Sequence, residues 1–136
     1  MALLFPPPSG GDIVWCRFPY RGIAGPGQKP RPALIVDVGH LRGEPAAQVA
    51  YGTSQKMNRI YSSEFIITPD DEYAFEASGL ALPTKFDVAH LVFLPYNDYW
   101  FAVPPGAPHG QIPKLGILHP SLVRRAKAAY DSARRH

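Results

Sequence analysis

Two short clusters carry the residues of this chain best suited to chemistry. One is Lys29-Pro30-Arg31-Pro32, and the other, farther along, is Tyr51-Gly52-Thr53-Ser54-Gln55-Lys56. Arg31 stands between two prolines, which restrict its backbone to extended conformations and give its guanidinium a pre-organised stem. The planar fork of an arginine contacts two oxygens of a phosphate and stabilises charge that develops on them. Thr53 and Ser54 offer two hydroxyls that each donate and accept. Thr53 could bind a nonbridging phosphate oxygen while Gln55 or Lys56 holds the adjoining nucleotide. The bland alternatives are a surface arginine opening a strand and a Ser/Thr turn that satisfies its own backbone.

Charge distribution favours an anionic partner more than the formal net charge of +3 does. Between Asp12 and Asp37 there is no carboxylate, while Arg17, Arg21, Lys29 and Arg31 all fall inside that interval. A local cationic segment attracts phosphates, although charge runs are commonly just solvated. Trp15 and Tyr20 flank the cationic loop and are the first choice among the aromatics for stacking on unpaired bases, ahead of Tyr51, Tyr61 and Phe86.

Other chemistries find little support. His40, His90, His109, His119 and His136 are scattered without ligand spacing, so no metal site and no cofactor are expected. The segment GIAGPGQKP lacks the lysine-threonine ending of a nucleotide-binding loop and leads into a strand. A single cysteine, Cys16, excludes an intrachain disulfide and suits a reducing cytoplasm. No apolar run approaches the roughly 18 residues of a membrane span, and the first residues lack the pattern of a signal peptide. The expected setting is therefore cytoplasmic, with no membrane partner.

The elements that must position these residues are mostly strands. A chain of 136 residues with 46% hydrophobic residues suits one domain with one core. Prolines and glycines alternate with apolar runs, which fits short strands and tight loops better than a helical bundle. Asp12 to Phe18 alternates as a strand with one core face and one amphipathic face, and Pro19 to Pro30 reads as a long, mobile, exposed loop. Ala33 to Val38 has the continuous apolar character of a central strand covered on both sides. A third strand ends at Thr53, and Ser63 to Thr68, Leu80 to Phe86 and Val88 to Leu94 supply three more. Residues 95 to 113 read as an irregular aromatic and proline-rich excursion with one short edge strand at Tyr99 to Val103. At the end, His119 caps a helix with Pro120 in its first position, and Leu122, Ala126, Tyr130 and Ala133 form its apolar face. Residues 1 to 10 form a loosely held Pro-rich arm and 11 to 136 the single domain. The pattern amounts to a mainly β fold, a small bent sheet or barrel of about six strands with a C-terminal helix.

The order GDIVWCRF, cationic Gly/Pro loop, RPALIV, YGTSQK resembles the MazF/PemK family of endoribonuclease toxins from bacterial toxin-antitoxin pairs. Further similarity lies in GLALPTKFDVAHL and in KLGILHPSLVRRAKAAY. The resemblance implies an SH3-like barrel and metal-independent, sequence-specific cleavage of single-stranded RNA to 2′,3′-cyclic phosphate and 5′-hydroxyl ends. It also implies a homodimer held in check by a cognate antitoxin. Arg31 and Thr53 fall at the family's catalytic positions, and Gln28, Lys29, Arg21, Tyr20, Trp15, Ser54, Gln55 and Lys56 are the expected RNA contacts. Two departures bear on the chemistry: the loop IAGPGQKP carries no acid where many members have one, and Leu82 stands where some members place an Asp. A third is the excursion 95 to 113, longer than the family usually carries. RNA cleavage also needs an acceptor for the 2′-hydroxyl proton, which Arg31 serves poorly. Asp87 and His90 are the remaining candidates, each with a structural role as its alternative. A noncatalytic binding module on the same barrel, a regulator or an inhibitor similar to the gyrase-targeting toxins, is the competing function.

Overall fold

The computed structural model describes residues 2–20 and 22–135. Six strands form one antiparallel sheet: β1 (Asp12–Cys16), β2 (Arg31–Leu41), β3 (Glu44–Thr53), β4 (Glu64–Ile67), β5 (Thr84–Pro95) and β6 (Lys114–Ile117). Among the described residues two α-helices, α1 (Tyr73–Ser78) and α2 (Val123–Arg134), and two 3₁₀ turns, Pro69–Asp71 and Pro120–Leu122, complete the regular structure. The strand order is β4-β5-β3-β2-β1-β6, so the curled sheet is not closed and β4 and β6 remain its edges. This is the mainly β, six-stranded architecture with a C-terminal helix that the sequence predicts.

Local chemistry explains the main elements. β2 and β3 form a hairpin through Arg42 and Gly43, both at positive φ (52° and 80°), as a two-residue type I′ turn requires. His119 accepts the Ser121 amide and Pro120 opens the 3₁₀ turn that leads into α2, so the predicted cap is present. On the edge strand, the Arg125 guanidinium donates to the Ile66 carbonyl and to Asp71, covering part of the β4 backbone with a charged group.

Both faces of the sheet are covered. Ile13, Leu34, Phe65, Phe86 and Leu122 belong to one cluster, against which Ala126 and Tyr130 of α2 pack. Val14, Cys16, Ile35, Val49 and Phe101 belong to a second. β1 keeps the two unlike faces expected of it: Val14 and Cys16 are buried on one, while on the other Ile13 is buried and Trp15 and Arg17 are only half-buried. Two-sided burial agrees with the central-strand reading only for Ala33 to Ile35; Asp37 and Val38, beyond a shift in the β2–β3 register, are exposed.

The second layer is built from segments whose order is not visible in their composition. The arm expected to be loosely held is docked: Phe5 is buried, its ring meets Tyr96 edge-on at 5.9 Å, and its amide donates to the Tyr96 carbonyl. The excursion runs beside β1, with the Arg17 amide donating to the Trp100 carbonyl and the Ala102 amide to that of Trp15. The short edge strand expected at Tyr99 to Val103 is reduced to a single antiparallel bridge between Cys16 and Phe101. The loop from Pro19 to Pro30 is also less free than expected, since Gly27 is buried and its amide bonds to the Arg17 carbonyl.

Three further differences concern elements near the site. The two strands expected at Leu80 to Phe86 and Val88 to Leu94 are one bent strand, β5. Its register with β3 shifts between Ala50, which faces Leu91, and Tyr51, which faces Asp87. Asp87 stabilises the irregularity by accepting the Ala89 amide and bonding His90. Residues Leu80 to Leu82 form a loop after α1, a helix without a strong apolar repeat in the sequence. α1 ends at Gly79 (φ 71°), where a Cβ would lie 2.0 Å from the Leu115 carbonyl oxygen, so only glycine allows this close docking onto β6. β6 itself is short and was read from sequence only as an approach to the final helix.

Candidate active site

The strand ends create a cleft of about 710 Å³. β1 pairs with β2 through Cys16 opposite Arg31, and β2 pairs with β3 through Ala33 opposite Tyr51. Arg31 begins β2 and Thr53 ends β3, so the two residues lie at the same end of this antiparallel pair. Gly52 permits the approach: a Cβ there would lie 2.7 Å from the Pro32 carbonyl oxygen and 2.8 Å from the Phe86 ring. Arg31 and Thr53 consequently line the same cleft, together with Trp15, Tyr20, Ser54 and Gln55.

The cleft joins one cation to several neutral polar groups. Among the described residues Arg31 has neither an ion-pair partner nor a side-chain hydrogen bond, and no carboxylate or imidazole lines the cleft. Its charge is therefore uncompensated where a ligand would sit. Thr53 Oγ1 accepts the Gln55 amide at 3.1 Å, which is the Ser/Thr turn foreseen as the bland alternative. That bond occupies an oxygen lone pair and leaves the hydroxyl proton available for donation. The turn and a ligand contact are thus compatible.

Beyond Thr53 the chain is held from below by a residue that sequence reasoning missed. Lys85, opposite Thr53 in the β3–β5 ladder, is buried; its ammonium donates to the carbonyls of Lys56 and Arg59, both at 3.0 Å. It also pairs with the nearly buried Glu64 at 3.7 Å. A lysine in an apolar strand normally signals an exposed position, so only the tertiary structure shows this anchor. It fixes the course of the segment that carries Ser54 and Gln55.

The other expected contacts distribute unevenly. Gln28, Lys29 and Lys56 are exposed but do not line the cleft, and Arg21 lies outside the described residues. Arg17, counted in the cationic interval, directs its guanidinium to the Asp98 and Phe101 carbonyls instead. Asp87 and His90 also stay outside the cleft, where their side chains meet at 2.6 Å within the bent part of β5. Leu82, the position at which an Asp is absent, is 58% exposed and forms part of the cleft wall. Pro104, Pro105 and Pro108 bring the excursion into the same wall; their abundance in the sequence carried no sign of where they would fold.

Among the described residues no three His, Cys, Asp or Glu side chains gather as a metal-ligand set, and no helix is long and apolar enough to cross a membrane. No curated protein matches the chain. The family of PemK-like, MazF-like toxins of type II toxin-antitoxin systems matches residues 9–90, a span that contains Arg31, Thr53 and Lys85 and stops before the prolines of the cleft wall. Over more than half its length, then, the chain carries the pattern of these toxins, and it belongs to the PemK-like, MazF-like family of type II toxin-antitoxin systems.

Proposed function

We propose that this toxin is a sequence-specific, metal-independent endoribonuclease that cuts single-stranded RNA and leaves 2′,3′-cyclic phosphate and 5′-hydroxyl ends. The observation that carries the reading is the unpaired Arg31 guanidinium sharing an acid-free cleft with the Thr53 hydroxyl. In the reaction the 2′-oxygen attacks phosphorus, the bond from phosphorus to the 5′-oxygen breaks, and one proton leaves the 2′-hydroxyl while another reaches the 5′-oxygen. Arg31 stabilises charge on the crowded phosphate and stands as the acid or electrostatic catalyst. Thr53 donates to a nonbridging oxygen.

Binding follows from the same surface. Trp15 and Tyr20 stack on unpaired bases, Ser54 and Gln55 hold the adjoining nucleotide, and Gln28, Lys29, Arg21 and Lys56 contact the RNA farther out. Type II toxins are partnered by an antitoxin, and here its acidic or apolar segment would cover the cleft. The active form is a cytoplasmic homodimer.

The acid-free cleft also favours a second reading, a noncatalytic module that binds its target without cutting RNA. Incubation of the purified protein with single-stranded RNA in the presence of a chelator, followed by mapping of the ends, separates the two. Defined cuts with cyclic phosphate ends support the nuclease. Growth inhibition on expression without RNA breakage supports the binding module.

A further inference from the structure

Of the residues that shape the cleft, Pro104, Pro105, Pro108 and Leu115 lie beyond the residues 9–90 matched by the toxin family, and the three prolines belong to the excursion. The excursion reaches the site by a defined path. Phe101 bridges to Cys16, the Ala102 amide donates to the Trp15 carbonyl, and the next residues turn into the cleft wall. The turn is held by the Ala107 amide donating to the Pro104 carbonyl at 2.9 Å and the Gly110 amide to that of Ala107 at 3.0 Å. His109 Nε2 lies 3.2 Å from the Leu115 carbonyl and ties the end of the turn to β6. Pro104 is buried, whereas Pro105 and Pro108 are exposed at the cleft.

This construction gives the cleft two unlike sides. The strand ends bring the cation and hydroxyl, and the proline turn brings rigid apolar rings that have no amide to donate. Trp15 shares the cleft and is joined to the excursion by a backbone hydrogen bond. An unpaired nucleobase next to the phosphate held by Arg31 presents a flat apolar face of the kind such rings cover, and immobilised rings need little ordering on binding.

We infer that the turn carrying Pro105 and Pro108 forms, with Trp15, a subsite for the nucleobase flanking the scissile phosphate, so that the excursion sets which RNA sites are cut. This inference rests on the endoribonuclease reading and assigns a specificity role to a segment outside the shared toxin region.

The test is a cycle of two enzymes and two RNAs. Wild type and the double variant Pro105→Ala/Pro108→Ala are each given a cleavable RNA and the same RNA with an abasic residue beside the scissile phosphate. Loss of the base should lower wild-type kcat/KM about tenfold, mainly through KM. The double variant should show a much smaller abasic penalty and a broadened set of cut sites on a mixed RNA. An equal penalty in both enzymes, with unchanged cut sites, overturns the subsite while leaving the nuclease reading intact. Failure of wild type to cut any RNA overturns both. Should the double variant not fold, the single variants Pro105→Ala and Pro108→Ala take its place: a smaller abasic penalty than wild type in either supports the subsite, and a penalty equal to that of wild type in both overturns it.

Discussion

Arg31 opens β2 and Thr53 closes β3, neighbouring antiparallel strands whose register pairs Ala33 with Tyr51, and both line one cleft. The approach depends on Gly52, because a side chain there would collide with the Pro32 carbonyl and the Phe86 ring. The residue preceding each of these two side chains thus has a steric task. Pro30 stiffens the stem of Arg31, and Gly52 lets β3 come close enough to deliver Thr53.

Thr53→Val keeps the shape of the side chain and removes its hydroxyl. It should lower the single-turnover cleavage rate about 10- to 100-fold with a small change in RNA affinity, since the donor acts on charge that grows in the transition state. Ser54→Ala should have a smaller effect. Rate and binding measured separately on one RNA oligonucleotide check this; a loss confined to affinity would assign Thr53 to ground-state binding.

Lys85 holds the segment after Thr53, so Lys85→Met should act at a distance. The substitution leaves the nearly buried Glu64 carboxylate without its ammonium partner and frees the Lys56 and Arg59 carbonyls. A destabilisation of about 3 kcal/mol is expected in urea unfolding. Amides of residues 54 to 63 should lose hydrogen-exchange protection beyond that global change.

How much of this was legible in the sequence follows from the range of each interaction. Arg31 between prolines, the Thr-Ser pair, the alternation of the strands and the His119-Pro120 helix start are local patterns, and all reappear in the fold. The role of Lys85 is not local, because its partners lie 26 and 29 residues away along the chain. Phe5 on Tyr96, and the proline turn beside Trp15, likewise depend on contacts between distant segments. The bend of β5 was misread as a break because Asp87 looks like a turn residue, whereas here its side chain satisfies the amide of the irregular stretch.

Asp71 links acid stability to the packing of α2. The Arg125 guanidinium holds its carboxyl below the ordinary carboxylate range by hydrogen bonding, against an opposing effect of partial burial, and the Thr68 amide adds to the lowering. A lowered folded-state pKa gives stability that is present above the unfolded value near 3.9 and lost as pH falls through the folded value. Arg125→Met should remove up to about 1 kcal/mol at neutral pH and flatten the acid limb of a stability profile. An acid limb as steep as that of the wild type would show that the pair does not govern this titration.

Cys16 is buried without exposure, and burial pushes its thiol well above the usual range despite the nearby Arg17 charge. It should resist iodoacetamide in the native protein at pH 8 and react on unfolding in urea. Mass spectrometry of the two samples reads the difference. Rapid native labelling would mean that β1 and the excursion open readily from one another.

The central claim is most directly tested at Arg31, by measuring single-turnover cleavage of a defined RNA by wild type, Arg31→Lys and Arg31→Ala after each has been shown to fold. Wild type should cut to cyclic phosphate ends, Arg31→Ala should be slower by about 100- to 1,000-fold, and Arg31→Lys should recover only part of that loss because an ammonium lacks the bidentate fork. Equal cleavage by all three proteins, or none by the wild type, would contradict the account.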